Sequence, residues 1–133
     1  MIRVTAAVIE KEGRVLIARR KPGGPFGGLW EFPGGKIEAN ESPEQCLERE
    51  LREELGIQAQ TGSLLCVSRH DYGHLAIELL AYRVRSFTGE VQALEHAETR
   101  WVPSDRLAEY DFPEADRPII RELAAKFPIS RSS

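Results

Sequence analysis

The chain has 133 residues, 41% of them hydrophobic and 29% charged, with a formal net charge of −3. That is the size and composition of one soluble domain, able to bury roughly two-thirds of its unfolded surface. The mildly acidic balance argues against a broad surface for nucleic acid polymers, and no apolar run approaches a membrane span. Small free molecules, met in a local pocket, are the expected ligands.

In chain order, Met1-Ile2-Arg3-Val4-Thr5-Ala6 leads straight into a strand pattern with no signal peptide before it, so a cytoplasmic location is expected. Arg3 to Glu10 is a β-rich run, Lys11-Glu12-Gly13 a charged turn, and Arg14 to Arg19 a second strand; together they read as a hairpin. Lys21-Pro22-Gly23-Gly24-Pro25-Phe26-Gly27-Gly28 is dense in breakers and reads as a loop that shapes a pocket mouth, followed by a short strand from Leu29 to Phe32. In Phe32-Pro33-Gly34-Gly35 the residue before proline is held extended, and the two glycines let the backbone bend with a carbonyl close to a bound ion.

A helix is then well announced. Ser42 is a good N-cap, Pro43 suits the first helical position, and Gln45 stands where a capping box expects Glu or Gln. Gly56 supplies the left-handed residue that ends the helix, with Ile57 folding back onto Leu51 in a Schellman cap. At about 100° per residue, Leu47, Leu51 and Leu55 form one stripe and Glu50, Glu53 and Glu54 an adjoining one, at the edge of the core. Like charges so spaced cost roughly 0.2–0.5 kcal/mol per pair, and partial burial makes that worse. A divalent cation reverses the sign, since Mg²⁺ takes carboxylates together with phosphate oxygens. The plainer alternative is a solvated acidic face, with Arg49 paired to Glu53 and Arg52 to Glu48.

Beyond the helix, Ser63 to His70 and His74 to Arg85 carry strand signals around a turn at Asp71-Tyr72-Gly73, and Phe87-Thr88-Gly89-Glu90 reads as another turn. A strand at Thr99 to Val102, a short helix from Ser104 to Tyr110 and a last helix from Pro113 to Phe127 follow, with Leu123, Ala124 and Phe127 facing inward. Arg131-Ser132-Ser133 reads as a frayed tail. Cys46 and Cys66 have neither metal spacing nor a disulfide framework and read as small buried residues in a reducing compartment. His70, His74 and His96 are too scattered for a metal set and read as surface or turn histidines. With no repeat or linker, residues 1–133 form one α/β domain, a mixed sheet between helices.

Gly35, five residues, Glu41, seven residues, Arg49-Glu50-Leu51, one residue, Glu53-Glu54, one residue and Gly56-Ile57 resembles the complete Nudix box. Nine specified positions arise by chance on the order of once in a billion starting points, so the motif is specific. Leu29-Trp30-Glu31-Phe32-Pro33-Gly34-Gly35-Lys36-Ile37-Glu38 and Asp111-Phe112-Pro113-Glu114-Ala115-Asp116-Arg117-Pro118-Ile119 are similar to the box entry and C-terminal helix of the MutT-like pyrophosphohydrolases, and the chain also resembles their CTP pyrophosphohydrolase branch.

The resemblance implies a Nudix-type α/β/α sandwich and hydrolysis of nucleoside triphosphates to monophosphate and pyrophosphate, with nucleotide-pool sanitation as the role. It implies Mg²⁺, with Mn²⁺ as the alternative, held by Glu50, Glu53, Glu54 and the Gly34 carbonyl. Glu50 and Glu53 are the expected catalytic acids, Glu50 as base, and Arg49 orients a glutamate. Glu95, six residues ahead of Trp101, matches a further metal carboxylate, with Glu98 as fallback. Arg20 and Glu31 would line the nucleotide site and Phe32 would lie near the base or pack in the core. Asp116 stands where 8-oxoguanine-selective relatives carry asparagine; read as an ionised acceptor, it favours cytidine or oxidised-adenine triphosphates, whose bases offer donors. Its alternative role is at a helix N-terminus, stabilised by the dipole. A monomer or homodimer is expected. The same fold also allows a hydrolase of dinucleotides or nucleotide sugars, or a nucleotide sensor without turnover.

Overall fold

The computed structural model of the chain describes residues 1–125. Three strands make one sheet in the order β1 (Ile2–Val8), β6 (Ala76–Thr88), β5 (Gln58–Asp71), with β1 parallel and β5 antiparallel to β6. A second sheet is built on β3 (Arg14–Arg19), which pairs antiparallel with β2 (Glu10–Lys11), β4 (Trp30–Glu31) and β7 (Glu98–Pro103). The long helix α1 runs over Pro43–Leu55 and the last helix, α2, over Arg117–Ala124.

Strand alternation divides the core in two. Ala6 and Val8 of β1, Val15 and Ile17 of β3, and Leu79 and Ala81 of β6 point to one face, where Ile119, Ile120 and Leu123 of α2 cover them. The residues between them, Ala7, Leu16, Leu80 and Tyr82, join Ile9 on the other face under Leu47, Leu51 and Leu55 of α1. Side chains of period 2 sandwiched between helices of period 3.6 give an α/β/α sandwich around a mixed sheet arrangement. Leu47, Leu51, Leu55 and Ile57 are fully buried, each gaining about 1.5–3 kcal/mol from leaving water.

The expected hairpin between the first two strands forms only at its tip. Glu10 and Lys11 pair with Val15 and Arg14, while β1 itself pairs with β6, in a register that sets Ile2 against Ile77. The reason is burial: Ala6, Ala7, Val8 and Ile9 are buried, which a strand paired with β6 between two helical layers satisfies and an exposed hairpin arm does not. The 104–110 segment is a 3₁₀ helix over Ser104–Glu109, and α2 starts at Arg117 after a 3₁₀ turn at Glu114–Asp116, later than the expected start at Pro113. Phe127 and the tail at Arg131-Ser132-Ser133 lie outside the described residues.

Candidate functional site

Helix α1 carries the acids, and its ends are fixed as its sequence dictates. The Gln45 N–H donates to Ser42 Oγ at 3.0 Å while the Ser42 N–H donates to Gln45 Oε1 at 2.9 Å, a complete capping box. Gly56 closes the helix at φ 71°, donating its N–H to the Arg52 carbonyl, which is the simpler αL cap rather than the Schellman form. Facing it, the Phe-Pro-Gly-Gly segment is strapped along β1. Thr5 N–H donates to the Gly35 carbonyl at 2.8 Å, Ala7 N–H to Pro33 at 2.7 Å, and Ile37 N–H to Arg3 at 3.0 Å. Because alternate carbonyls face β1, that of Gly34 turns away from it, and the Gly34 N–H donates to Glu54 Oε1 at 3.2 Å.

Arg49 ties this loop to the helix. Its guanidinium holds both oxygens of Glu41, at 2.7 and 3.1 Å, and reaches Glu50 at 2.8 Å, Glu53 at 3.3 Å and the Lys36 carbonyl at 3.3 Å. Arg49 thus orients glutamates, as expected. Its hydrogen bonds hold the Glu41 carboxyl down at about 2. Glu48 does not pair with Arg52 but accepts from Thr61 N and Oγ1 at 3.0 and 2.8 Å, tying α1 to β5.

Two adjoining cavities open beside these acids. One, of about 350 Å³, is lined by Val4, Phe26, Phe32, Tyr72, Ile77, Leu79 and Asp116 and by Gly34, Gly35, Lys36, Glu50 and Glu54. The other, of about 300 Å³, is lined by Arg20, Lys21, Pro22, Gly23, Glu31, Glu54, Glu95 and His96. Arg20, Glu31 and Glu54 belong to both walls, so an apolar chamber and a charged chamber share a polar partition.

Of the sequence-predicted residues, Arg20, Glu31, Phe32, Gly34, Glu50, Glu54, Glu95 and Asp116 all line these cavities. Glu53 stands outside both; its side chain is 50% exposed and paired with Arg49. Glu98 is held on β7 by Arg19 at 3.0 Å and Arg100 at 2.9 Å, which leaves Glu95 as the acid of that segment facing the site. Phe32 both lines the cavity and packs, stacking on Phe112 at 5.2 Å between ring centroids.

The charge balance is strained. Burial, reinforced by Glu31, Glu50 and Glu95, pushes the Glu54 carboxyl up to about 9. Burial also raises Glu50, against the pull of Arg49. Crowded, partly dehydrated carboxylates beside a free main-chain carbonyl form a hard oxygen donor set, the kind that suits Mg²⁺ or Mn²⁺. The residues therefore fit the divalent cation that the resemblance of the box implies.

Asp116 differs from expectation. It is at the N-cap position of α2 but makes no capping hydrogen bond. It is buried against the apolar cavity, and burial together with Glu31 pushes its carboxyl up to about 8, with the Phe32 main chain opposing. That shift favours the carboxylic acid, a donor as well as an acceptor, over the ionised acceptor expected from the sequence.

Other site residues escaped the sequence. Phe26, an aromatic in a loop of breakers, meets Tyr72 edge to face at 5.1 Å across the apolar chamber, and Tyr72 OH accepts from the Ala115 N–H at 2.9 Å. A lone aromatic among glycines is a usable signal; Tyr72, in a turn, offered none. His96 is buried and meets Glu31 Oε2 at 2.8 Å, so of its reading as a surface or turn histidine the surface placement is corrected.

Comparison with known proteins agrees with this geometry. The model of the NUDIX domain matches residues 4–122. A CTP pyrophosphohydrolase of Escherichia coli K12 is 41% identical over 125 residues, covering 94% of this chain and 93% of the relative. An 8-oxo-dGTP diphosphatase of Haemophilus influenzae Rd is 37% identical over 124 residues, 92% of this chain and 91% of the relative. The solution structure of the E. coli ORF135 protein matches with a TM-score of 0.87 at 38% identity, covering 100% of this chain and 95% of that one. The MutT NUDIX hydrolase of Burkholderia pseudomallei matches with a TM-score of 0.83 at 32% identity, covering 91% of this chain and 96% of that one. Box, sandwich and relatives converge: the chain belongs to the Nudix family, among its MutT-like hydrolases.

Proposed function

We propose that this chain hydrolyses nucleoside triphosphates, including oxidised or otherwise modified ones, to the monophosphate and pyrophosphate, and so cleans the nucleotide pool. The observation that carries this is the shared partition. An apolar chamber with aromatic walls suits a base, and a charged chamber with Arg20, Lys21 and three acids suits a cation-bound polyphosphate. The named activities of the E. coli and H. influenzae relatives support it.

In this reading Glu54, Glu50, Glu95 and the Gly34 carbonyl would hold Mg²⁺ or Mn²⁺, and Glu53 would join them by giving up its exposed pair with Arg49. When bound, the cation neutralises phosphate charge and makes a coordinated water more acidic. Glu50 accepts the proton of water as the water oxygen bonds to one of the two phosphorus atoms of the α–β linkage; that atom's bond to the bridging oxygen breaks, and the bridging oxygen leaves with the other phosphate. Arg49 keeps Glu50 aimed while this happens. Arg20 meets phosphate charge, Phe32 and the Phe26–Tyr72 pair border the base, and Asp116 reads its edge. An exposed ion pair such as Arg49–Glu53 contributes about 0–1 kcal/mol, so giving Glu53 up costs little.

The test is product analysis on a panel of canonical and oxidised triphosphates, a dinucleotide and a nucleotide sugar, with Mg²⁺. Monophosphate plus pyrophosphate from triphosphates is expected. Turnover of the dinucleotide or sugar alone would assign a different Nudix substrate, and tight binding of a triphosphate without any product would assign a sensor.

A further inference from the structure

His96 is the one buried side chain among the described residues left with a polar atom lacking a partner, its Nδ1. Its Nε2 lies 2.8 Å from Glu31 Oε2, and the ring is 5% exposed. Ligand atoms of Glu31, Glu54 and His96 come within 4.8 Å of one another, which has the look of a three-residue metal centre. The unpartnered nitrogen argues otherwise. A histidine that gives Nε2 to a metal carries its proton on Nδ1 and ordinarily donates it to a carboxylate or carbonyl. Here that N–H would be buried with no acceptor, an arrangement folded proteins rarely tolerate. With the proton on Nε2 instead, Nδ1 is left as a bare lone pair, and the 2.8 Å contact becomes a hydrogen bond from an N–H to a carboxylate, one of the stronger kinds.

Glu31 needs such a donor. It stands between Glu54 and Asp116, both of which it disfavours as anions, on the wall shared by the two chambers. Its other oxygen meets Arg20 at 3.2 Å, but Arg20 is 48% exposed at the start of the glycine-rich loop, and pairs of that kind hold little. The dehydrated contact to His96 therefore does most of the holding.

We propose that His96 is a positioning residue, whose Nε2–H fixes the Glu31 carboxylate in the partition and thereby sets how tightly the nucleotide is seated. The role rests on the nucleotide reading above, and the two fail separately. In a long-range ¹H–¹⁵N spectrum of the wild-type protein, the His96 proton is on Nε2; a proton on Nδ1 overturns the positioning role whatever the substrate. In kinetics, His96→Met raises KM for the preferred triphosphate about ten- to a hundredfold, as with other groups that orient a site residue, with a smaller change in kcat. His96→Gln, which keeps an N–H at the same reach, recovers most of the loss. Adding His96→Met to Glu31→Ala costs little more than Glu31→Ala alone, since both act through one contact. An unchanged KM, with kcat falling in step with Tm, would show a purely structural histidine and overturn the proposal. No turnover of any triphosphate by the wild-type protein would instead overturn the nucleotide reading.

Discussion

Arg49 grips Glu41 from eight residues away, donating to one carboxylate oxygen from Nε at 2.7 Å and to the other from Nη2 at 3.1 Å. Glu41 lies before the helix and accepts the Glu38 N–H at 3.0 Å, so this fork fastens the loop to α1 while the same guanidinium aims Glu50. The folded carboxyl is held from an ordinary 4.5 down to about 2. Its stabilising contribution is therefore complete above about 4.5 and disappears as the pH falls through about 2. Arg49→Met should lower Tm by about 5 °C at neutral pH, with the gap to wild type closing as acid protonates Glu41. Thermal unfolding followed by circular dichroism from pH 7 to pH 2 checks this; a gap that does not change with pH would remove Glu41 from the account.

Gly35 sits directly under the acid that Arg49 aims. A methyl group there would collide with the Glu50 carboxyl, the far end of a flexible side chain. Gly35→Ala should leave Tm within a few degrees of wild type but displace Glu50, and misplacing a catalytic group by about 1 Å costs on the order of a hundredfold in rate. Gly34→Ala should instead damage the fold, because the added carbon would run into the main-chain carbonyl of Thr5 at a positive φ. Measuring Tm and kcat for both variants separates the two cases; a Gly35→Ala enzyme with unchanged kcat would show that Glu50 tolerates displacement.

What could be read from the sequence divides along physical lines. Helix α1, its capping box and its two stripes are local properties of period 3.6, and Ser42, Gln45, Gly56, Leu47 and Leu51 behave as their types dictate. The partner of β1 was not legible, because pairing Ile2 with Ile77 depends on which face each strand buries and leaves no mark in either segment alone. The acids of the box were legible as residue types. The burial of Asp116 and of His96 was not, since both follow from neighbours that distant segments bring in.

Cation dependence follows from the carboxylate crowding. Without a cation, burial and the neighbouring acids push the Glu54 carboxyl from 4.5 up to about 9, so at neutral pH folding must bind a proton there, at a cost; Mg²⁺ should therefore raise Tm, and chelation with EDTA should abolish turnover while leaving the protein folded. Glu54→Gln removes that cost. It should raise Tm in EDTA, lose the Mg²⁺-dependent rise and lower kcat by about 10²–10⁴-fold. Glu53→Gln removes only an exposed pair and should leave Tm unchanged, yet it should also cut kcat if Glu53 joins the cation as proposed. Differential scanning fluorimetry with and without Mg²⁺, beside pyrophosphate release, reads all of these, and a Glu54→Gln protein that keeps both its Mg²⁺ response and its turnover would refute the assignment.

Base selection should depend on pH through Asp116. The folded protein keeps a proton that the unfolded chain releases near 3.8, because the carboxyl is pushed up to about 8 by burial and by Glu31. Between those values the native state binds more protons than the unfolded one, so this residue makes stability fall as the pH rises, levelling off above about 8. Asp116→Asn carries no such proton and should lose that slope, becoming the more stable protein at pH 8. In the site, the protonated acid can donate to an acceptor such as guanine O6, whereas the carboxylate accepts only and suits the amino group of cytosine or adenine. The ratio of kcat/KM for guanine-type over cytosine-type triphosphates should therefore drop by about tenfold or more as the pH climbs from 7 to 9, given that a good base contact is worth about 1–3 kcal/mol. Asn offers a donor and an acceptor at every pH, so the Asp116→Asn ratio should stay level and resemble wild type at the acidic end. Parallel pH profiles for the two substrates in both proteins decide it: equal slopes in wild type and Asp116→Asn would mean that the base is read by some other group.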